Sequence, residues 1–366
     1  MKPSRILHFD IARGIAIISI ILGHLGLFSV SRVVYPFHLP VFFLLIGFFL
    51  NAEEPLGIFL RKRMRTLILP YVITALCSIV LGVLMAAVLH GNVWNELKLW
   101  TIAALYGAGE EYTSPFYIRP IGAIWFLPAA FFSSFFLKLI LLVGRNYTEK
   151  AAADGRKCGG RSFWLTWLIR TVLVFLVFFF GYVTPKWFFW FPGSIQAGCS
   201  AVLYMYIGFL ARRVSPAVSR SLKTRPWILL LSAVPPAAAW GFMIWRFESF
   251  WLVHCDFGHG ISDFIGSLGA SWCIFLLSYG LSKLKVLSRP LSFIGRNSLY
   301  VLCVHILELN FFPWKQLTDR AVGMGLPGKA VFLGMVFGKF VLIFAAVGLF
   351  LTLQAAWQRK RKENLG

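Results

Sequence analysis

The sequence predicts an all-α polytopic membrane protein: a helical bundle with about ten transmembrane helices and both termini in the cytoplasm. Three observations predict this fold class, namely the composition, the length of the apolar runs and the distribution of Lys and Arg. Of the 366 residues, 58% are hydrophobic and 14% are charged, whereas about 25% of the residues in a typical soluble domain are charged. A chain of this composition lacks the polar surface of a soluble fold, so soluble cytosolic enzymes are excluded.

Ten apolar runs approach the length of about 20 residues that a helix needs to cross the hydrocarbon core. None of them shows the sustained alternation of a β-barrel strand. The runs cover residues 11–30, 35–51, 66–89, 120–143, 163–181, 194–211, 226–245, 260–281, 296–312 and 330–355. They leave only short connections, so we interpret residues 1–355 as one integral-membrane domain and residues 356–366 as a basic cytoplasmic tail. The longest connection, at 90–119, is predicted to contain an amphipathic helix in the membrane interface.

The formal net charge of +22 is distributed unevenly over the connections. Alternate connections, beginning with the N-terminus, contain 25 of the 36 Lys and Arg residues, and the other connections contain 8. Cytoplasmic loops carry such an excess, so the pattern supports ten spans and predicts that both termini are cytoplasmic. The positive charge is expected to contact anionic membrane lipids, and no nucleic-acid partner is expected. The basic connections are the N-terminus through Arg13, 61–65, 145–161, 212–225, 283–296 and 359–362.

The first apolar run contains ionisable side chains, which are costly in hydrocarbon and are therefore candidates for function. Arg13 and His24 are eleven positions apart, which is three helical turns plus about 20°, so they share a face and lie about 16 Å apart. An Arg13 guanidinium at the cytoplasmic edge can bind an anionic or carbonyl group, and a neutral His24 imidazole near mid-membrane can act as a general base. Asp10, one turn before Arg13, can pair with it. Taken separately, Arg13 is also explained as a cation that reaches the interface, and His24 as a helix-packing donor.

A second set of polar side chains occurs in the ninth run. Glu308 follows His305 by one helical turn, and both are expected at a depth similar to that of His24. We therefore expect these groups to share an internal cavity, with Ser298 on the His305 face nearer the cytosol. The alternative is an interhelical hydrogen-bonded pair that only stabilises the bundle.

The spacing of Arg13 and His24 resembles the arginine-x10-histidine signature of acyltransferase family 3, whose members are integral-membrane, acyl-CoA-dependent transferases. Further segments resemble motifs of this family in order along the chain: FHLPVFFLLIGFFL at 37–50, FLRKRMRTLILPY at 59–71, IWFLPAAFF at 124–132 and FIGRNSLYVLCVH at 293–305. The chain looks closest to the fucose 4-O-acetylase-like branch. Ile46 stands where the family usually has serine before Gly47, so a hydroxyl role at that position is absent.

The resemblance implies an activity, substrates and a location. It implies an acyl-CoA-dependent O-acetyltransferase of the inner (plasma) membrane, which transfers acetyl from cytosolic acetyl-CoA to a hydroxyl of a lipid-linked sugar or surface glycan. His24 is then the general base or, less simply, accepts the acetyl group itself, and Arg13 takes part in catalysis. A separate protein of glycan assembly is a candidate partner.

The resemblance also assigns binding roles. Residues expected to bind the phosphates of CoA are Arg13, Arg61, Arg63 and Arg65. Residues expected to bind substrate are His305, Glu308, His38, Asp10, Ser298 and Trp125. For the basic residues at 61–65, retention of topology and contact with anionic lipid is the alternative. For His38, expected at the outer mouth of the second helix, the alternative is capping of that helix.

The outer segment HCDFGHGISDF contains metal-ligand residue types, but their spacing fits no particular metal site. They are His254, Asp256, His259 and Asp263. We expect no metal cofactor. Glu110 and Glu111 are expected either to be solvated or to contact hydroxyls of the acceptor sugar.

A transporter is the competing class of protein. In a glycan exporter or flippase, His24, His305 and Glu308 would line a permeation path, since buried ionisable groups also occur in proton-coupled carriers. Against this class, the sequence has no pair of short, Gly- or Pro-interrupted helices at matching positions in two halves. Labelled acetyl-CoA distinguishes the two classes, because a carrier leaves the label on CoA.

Overall fold

The fold is that of a computed structural model, which describes residues 6–144, 161–224 and 226–363. These residues form helices joined by turns, and within them no β-strand occurs, only isolated bridges in two connections. The predicted all-α class is confirmed. The predicted basic connection at 145–161 lies outside the described residues except for its last position.

In the described residues up to 144, the first helix begins at Leu7. The helices of this part are α1 (Leu7–Gly23), α2 (Phe28–His38), α3 (Pro40–Phe48), α4 (Leu56–Arg63), α5 (Leu69–Val88), α6 (Val93–Tyr106) and α7 (Phe126–Leu142). A π-helical turn at Met64–Ile68 joins α4 to α5 in one segment. Helix α6 confirms the helix predicted within 90–119. It begins after Asn92, whose side chain accepts a hydrogen bond from the backbone N–H of Asn95 at 3.0 Å and so caps the helix.

The described residues from 161 onwards are also mainly helical. Their helices are α8 (Arg161–Trp187), α9 (Ile195–Thr224), α10 (Pro226–Leu231), α11 (Val234–Trp245), α12 (Ile261–Leu281), α13 (Lys285–Arg296), α14 (Ser298–Phe311), α15 (Trp314–Gly323) and α16 (Gly328–Glu363). Helices α13 and α14 are bent by 71° relative to each other. The basic tail predicted at 356–366 is helical as far as Glu363, because α16 continues into it.

In the described part of the chain, 7 helical segments are long and apolar enough to span a membrane, and 8 if the bent pair α13 and α14 is one span. The 7 segments are Phe28–Phe48, Leu56–Val88, Ala123–Leu142, Phe163–Trp187, Pro192–Ser215, Ile261–Leu281 and Gly328–Arg361. The remaining predicted runs are also helical. Helix α1 has only 17 residues, and the run at 226–245 is divided between α10 and α11. The expected count of about ten spans therefore depends on these two shorter segments, and the orientation stays a prediction.

The first helices differ from their predicted bounds, and this moves two candidate residues. The sequence predicts a helix over 11–30, whereas α1 ends one residue before His24, which is its C-terminal cap. The chain turns there because Gly26 adopts a φ of +72°, a conformation that glycine adopts without steric cost. His24 therefore lies at the end of α1 rather than inside a span. His38, expected at an outer helix end, lies in the middle of the segment Phe28–Phe48.

Glycine contacts hold α1 against α13. A Cβ atom added to Gly14 would clash with the backbone carbonyl of Leu291, and one added to Gly295 would clash with the carbonyl of Asp10. Small residues allow membrane helices to approach closely, and their association depends on such packing. The close approach fixes α1, which ends at His24, relative to α13 and the following α14.

Two cations inside predicted spans bind backbone carbonyl groups. Lys138 of α7 donates to the two carbonyls of residues 51–52, at 3.1 and 2.6 Å. Arg170 of α8 donates to the carbonyls of Leu141 and Val143, at 2.9 and 3.0 Å. Such carbonyls at and after helix ends lack intrahelical partners. Both cations therefore stabilise the ends of helices in the fold.

Candidate active site

The candidate active site is a cavity that opens to the surface. Its walls come from the end of α1, from α2, and from the connections between α6 and α7 and between α11 and α12. Polar and aromatic residues of its lining include His24, Tyr35, His38, Glu110, Trp125 and Trp251. The structure thus brings together His24, His38 and Trp125, which the sequence places in three separate motifs.

His24 lines the cavity, and the hydrogen bond of its ring selects the tautomer that a general base needs. Its Nδ1 atom lies 2.8 Å from the carbonyl oxygen of Ile20, one turn earlier in α1. A carbonyl oxygen only accepts hydrogen bonds, so Nδ1 carries the proton and Nε2 keeps its lone pair. The side chain is exposed, because it borders the open volume of the cavity. His24 therefore has the protonation state and the access that a general base requires.

His305 lies directly behind His24. Its Nε2 atom is 3.4 Å from Nδ1 of His24, and its Nδ1 atom is 3.1 Å from Oε2 of Glu308. An ionised carboxylate only accepts, so His305 carries its proton on Nδ1, and its Nε2 accepts from the Nδ1–H of His24. The side chains of His305 and Glu308 are 1% and 2% exposed. They lie behind His24 and do not line the cavity.

Glu308 has two further donors that the sequence analysis missed. Its Oε1 atom accepts from Nζ of Lys339 at 2.8 Å and from Nε1 of Trp314. Lys339 belongs to α16 and Trp314 is the first residue of α15, so three helices meet at this carboxylate. The signal for Lys339 was its position inside an apolar run, where a lysine needs an acidic partner. Nothing local in the sequence points to Trp314.

His38 makes the same backbone interaction as His24. Its Nδ1 atom lies 2.9 Å from the carbonyl oxygen of Val34, and its ring centre is 4.9 Å from that of Tyr35. The Tyr35 hydroxyl donates to the carbonyl of Gly23 at 3.3 Å, which ties α2 to the end of α1. His38 is 9% exposed. It is therefore a buried part of the cavity wall, close to His24 in the fold.

A row of rings supports the outer wall of the cavity. The rings of Trp251 and His254 stack with centres 5.6 Å apart, and Nδ1 of His254 lies 3.1 Å from the hydroxyl of Tyr112. Tyr112 in turn stacks on Trp190 at 4.8 Å. Burial lowers the pKa of His254, which favours the neutral imidazole. The row holds Trp251 at the cavity.

An ion pair anchors the connection that carries Glu110. Arg119 donates to both carboxylate oxygens of Glu96 in α6, at 2.5 and 3.0 Å, and its guanidinium lies 5.2 Å from the centre of a Trp100 ring. The hydrogen bonds from Arg119 lower the pKa of Glu96. Partial burial beside the cavity raises the pKa of Glu110, although its side chain still reaches solvent.

Arg13, predicted to act in catalysis and to bind CoA, lies within the first half of α1, whereas His24 follows the last residue of this helix. Its guanidinium pairs with Asp10 at 3.3 Å, as the spacing predicts. The separation of Arg13 from His24 corresponds to about 16 Å along the helix, so neither Arg13 nor Asp10 reaches the cavity. Ser298, the first residue of α14, is also outside the cavity lining. Contact of these three residues with substrate requires a molecule that extends beyond the cavity.

The other residues predicted to bind CoA form a basic cluster at the start of the segment Leu56–Val88. The side chains of Arg61 and Arg65 are exposed, and that of Arg63 is half-buried. The Arg63 guanidinium lies 5.3 Å from the centre of the Phe59 ring. Arg61 and Arg65 are therefore accessible to an anionic group, whether of a lipid or of another molecule.

The residues of the outer segment His254–Asp263 take part in local hydrogen bonds. Nδ1 of His259 lies 3.2 Å from Oδ2 of Asp263, and Asp256 accepts from the backbone N–H of Gly258 at 2.9 Å. Across the described ranges, no group of three or more His, Cys, Asp or Glu residues has the arrangement of a metal site.

Comparison with known proteins supports the motif-based interpretation. The acyltransferase domain that defines acyltransferase family 3 matches residues 6–357, nearly the whole chain. No curated protein and no solved structure matches the chain significantly. The match does not distinguish branches of the family, so the fucose 4-O-acetylase-like branch stays a prediction. The chain, a multi-pass helical membrane protein with a histidine-lined cavity, belongs to acyltransferase family 3.

Proposed function

We propose that this acyltransferase moves an acetyl group from cytosolic acetyl-CoA to a hydroxyl of a lipid-linked or surface-glycan sugar, with His24 as the general base. The observation that carries the proposal is the hydrogen-bonded line from His24 at the cavity through His305 to Glu308. In serine-hydrolase triads, a carboxylate behind an imidazole likewise fixes its tautomer and stabilises its protonated form. Here a second imidazole stands between the base and the carboxylate.

The reaction follows from the tautomer of His24. Nε2 takes the proton of the acceptor hydroxyl while the hydroxyl oxygen attacks the thioester carbonyl carbon of acetyl-CoA. The tetrahedral oxyanion then collapses with cleavage of the carbon–sulfur bond, and the CoA thiolate takes the proton back from the His24 imidazolium. One sugar acetyl ester and one CoA thiol result, and His24 is neutral again. During the step, Glu308 stabilises the positive charge through His305.

The acceptor sugar binds in the cavity. Trp125, Trp251 and Tyr35 supply aromatic surface on which the apolar face of a sugar ring packs. Glu110 and His38 supply polar atoms for its hydroxyl groups. Aromatic walls with a few polar atoms thus support a sugar as the acceptor.

The donor occupies the other end of α1. Acetyl-CoA is an elongated molecule with its phosphates at one end and its thioester at the other. Arg13 and the exposed Arg61 and Arg65 supply cations on the predicted cytoplasmic side, where they can bind phosphate. Since about 16 Å separates Arg13 from His24 along α1, a donor held by its phosphates near Arg13 directs its thioester toward the cavity. In this arrangement the acceptor meets the donor at His24.

The predicted orientation sets the cellular context. With both termini in the cytoplasm, the connections that form the cavity mouth face away from the cytosol. The enzyme then acts in the inner (plasma) membrane on glycans that are exposed on the outer side. A protein of glycan assembly is the partner class that would supply such an acceptor.

Purified protein in lipid nanodiscs, with acetyl-labelled acetyl-CoA and a panel of lipid-linked oligosaccharides, tests the proposal. We expect label in the sugar as an alkali-labile ester, with an equal amount of free CoA thiol. If the resemblance to the fucose 4-O-acetylase-like branch holds, a fucose-containing oligosaccharide is the preferred acceptor. Transport of the glycan with all label left on CoA would show a carrier and contradict the proposal.

The His24→Gln variant tests the base in the same assay. We expect transfer to fall more than about 100-fold, as for loss of a general base, with acetyl-CoA binding retained. His8→Gln is the matched control, because His8 belongs to the same helix and lies outside the cavity lining. Near-normal transfer by folded His24→Gln protein would remove His24 from the mechanism.

A further inference from the structure

Both oxygens of the Glu308 carboxylate, which lies behind His24 and His305, accept hydrogen bonds from described residues. Oε2 of Glu308 accepts from His305, and Oε1 accepts from Lys339 at 2.8 Å and from Trp314. The side chains of Glu308 and Lys339 are 2% and 8% exposed. Lys339 also lies 5.2 Å from the ring centre of Trp314, a distance at which a cation and an indole attract each other. The proposed mechanism uses neither Lys339 nor Trp314 directly.

The charge of Lys339 decides the protonation state of this group. A carboxylate without a counter-charge in a low-dielectric environment takes up a proton instead of remaining ionised. The Lys339 ammonium offsets that desolvation cost, so Glu308 remains an acceptor only. The titratable groups that contact this carboxylate are His305 on the same helix and Lys339 of α16, and His24 of α1 lies beyond His305.

We propose that Lys339 and Trp314 are positioning residues for the base: they hold Glu308 as an ionised acceptor, which keeps the His305 proton on Nδ1. The inference deepens the proposed function, on which it rests, because it explains how the orientation of His24 is maintained. The Nε2 lone pair of His305 is then available to the Nδ1–H of His24 as a second acceptor beside the carbonyl of Ile20, so that both acceptors leave Nε2 of His24 as the proton acceptor.

The alternative protonation state shows why this matters. A neutral Glu308 carboxyl can donate a hydrogen bond to Nδ1 of His305, and the His305 proton then moves to Nε2. That proton would face the proton on Nδ1 of His24, and two donors cannot form a hydrogen bond. His24 would turn away or lose its bond to Ile20, and the base would no longer be held toward the cavity.

Lys138 provides a contrast within the same fold. It is also buried, but it donates to the carbonyls of residues 51–52, in the connection between α3 and α4. A buried lysine in this protein is therefore able to bind backbone carbonyls. What distinguishes Lys339 is that its partner is a carboxylate that leads, through His305, to the residue at the cavity.

Kinetics of variants in nanodiscs form the first part of the test. We expect Lys339→Met to lower kcat about 10–100-fold, as loss of groups that orient functional histidines does at metal sites, with the KM for acetyl-CoA almost unchanged. Lys339→Arg keeps the charge and the donors, so it should restore most of the kcat. Trp314→Phe removes one of three donors and should lower kcat by about three- to tenfold. Lys329→Met, on the same helix at an exposed position, is the matched control.

The second part reads the tautomer directly and does not need an acceptor. In protein labelled with ¹⁵N-histidine, the two ring nitrogens give different chemical shifts when protonated and unprotonated, and His305→Gln assigns the His305 signals. We expect a protonated Nδ1 for His305 in the wild type and in Lys339→Arg, and a changed pattern in Lys339→Met. This readout stands even if no acetyl transfer to a sugar is found, so the failure of the proposed function and the failure of this inference are separable.

The double variant Glu308→Gln with Lys339→Met covers the case in which Lys339→Met does not fold. This double variant removes both buried charges, so it should fold. Its kcat should still be low, because the amide introduced at position 308 can donate a hydrogen bond to Nδ1 of His305 and thereby select the wrong tautomer. Wild-type kcat in this double variant would show that the pair is only structural and would overturn the inference. An unchanged His305 tautomer in folded Lys339→Met protein, or no benefit of Lys339→Arg over Lys339→Met, would overturn it as well.

Discussion

His24 and His38 line the same cavity and are held in the same way, but they have different surroundings. Each ring donates its Nδ1–H to the carbonyl four residues earlier, with distances of 2.8 Å to Ile20 and 2.9 Å to Val34. The backbone therefore selects the same tautomer for both, with Nε2 unprotonated. A tautomer suited to a base is thus not sufficient to identify one.

The difference lies in what else each ring contacts. Nδ1 of His24 also lies 3.4 Å from His305, which leads to Glu308, so a carboxylate is close when positive charge forms on the ring. His38 packs against the ring of Tyr35 and is more buried than His24. In this cavity, the polar groups behind the wall distinguish His24, the proposed base, from His38. The two histidines are therefore expected to respond differently to substitution.

The largest expected difference is between His24→Gln and His38→Gln. Glutamine keeps a hydrogen bond to the backbone but does not accept a proton near neutral pH. We expect kcat to fall more than about 100-fold in His24→Gln. In His38→Gln, a loss of binding should raise the KM for the acceptor and lower kcat by less than about tenfold. Equal losses of kcat in steady-state assays would break the comparison.

An intermediate effect is expected for His305→Gln. This change removes the link between His24 and Glu308 but leaves the base itself, so we expect a loss of kcat of about 10–100-fold, as for other groups that orient a functional histidine. The same acetyl-transfer assay measures it, with size-exclusion chromatography as the test of folding. A dead His305→Gln beside an active His24→Gln would move the base to α14, with Glu308 as its partner.

Some residues of this site could be predicted from the sequence, and others could not. His24, His38 and Trp125 stand in separate motifs, and the resemblance to a family predicted that they act together, which the cavity supports geometrically. The pairing of Lys339 with Glu308 leaves no such pattern, because the two are 31 residues apart and on different helices. Only the arrangement of α14 and α16 brings the two side chains together.

The same is true of the fold, in which the long helical segments could be predicted from the sequence but their ends could not. Apolar runs predicted each helical segment that is long enough to span a membrane, since burial in hydrocarbon requires apolar length. They did not predict where a segment turns: the conformation of Gly26 ends α1 early, and this changes the depth of His24. Likewise, the charges of Lys138 and Arg170 were visible in the sequence. Their carbonyl partners lie at or after the ends of other helices, and the sequence did not reveal them.

A smaller effect is expected at the outer wall, where Trp251→Ala sharpens the assignment of the acceptor side. Stacking of a sugar on an aromatic ring is modest, so we expect the KM for the acceptor to rise about three- to tenfold, with the KM for acetyl-CoA unchanged. Trp245→Ala is the control, because this tryptophan is exposed at the end of α11 and lies outside the cavity. A rise in the KM for acetyl-CoA instead would place the donor against Trp251.

The smallest expected effect concerns the basic cluster. Charge neutralisation in the double variant Arg61→Gln with Arg65→Gln should raise the KM for acetyl-CoA about two- to fivefold, and less at high salt, because exposed charges are screened. The kcat should stay the same. Arg359→Gln in the exposed end of α16 is the control. An unchanged KM in folded protein would assign the cluster to topology and lipid contact.

Chemical rescue tests the central claim, that His24 rather than His38 is the base, most directly. His24→Ala and His38→Ala each leave a space in the cavity wall that free imidazole can enter. The account predicts that added imidazole restores acetyl transfer in His24→Ala, in proportion to the concentration of its neutral form, and has no such effect in His38→Ala. Rescue of His38→Ala alone, equal rescue of both variants, or near-wild-type transfer by His24→Ala without imidazole would contradict it.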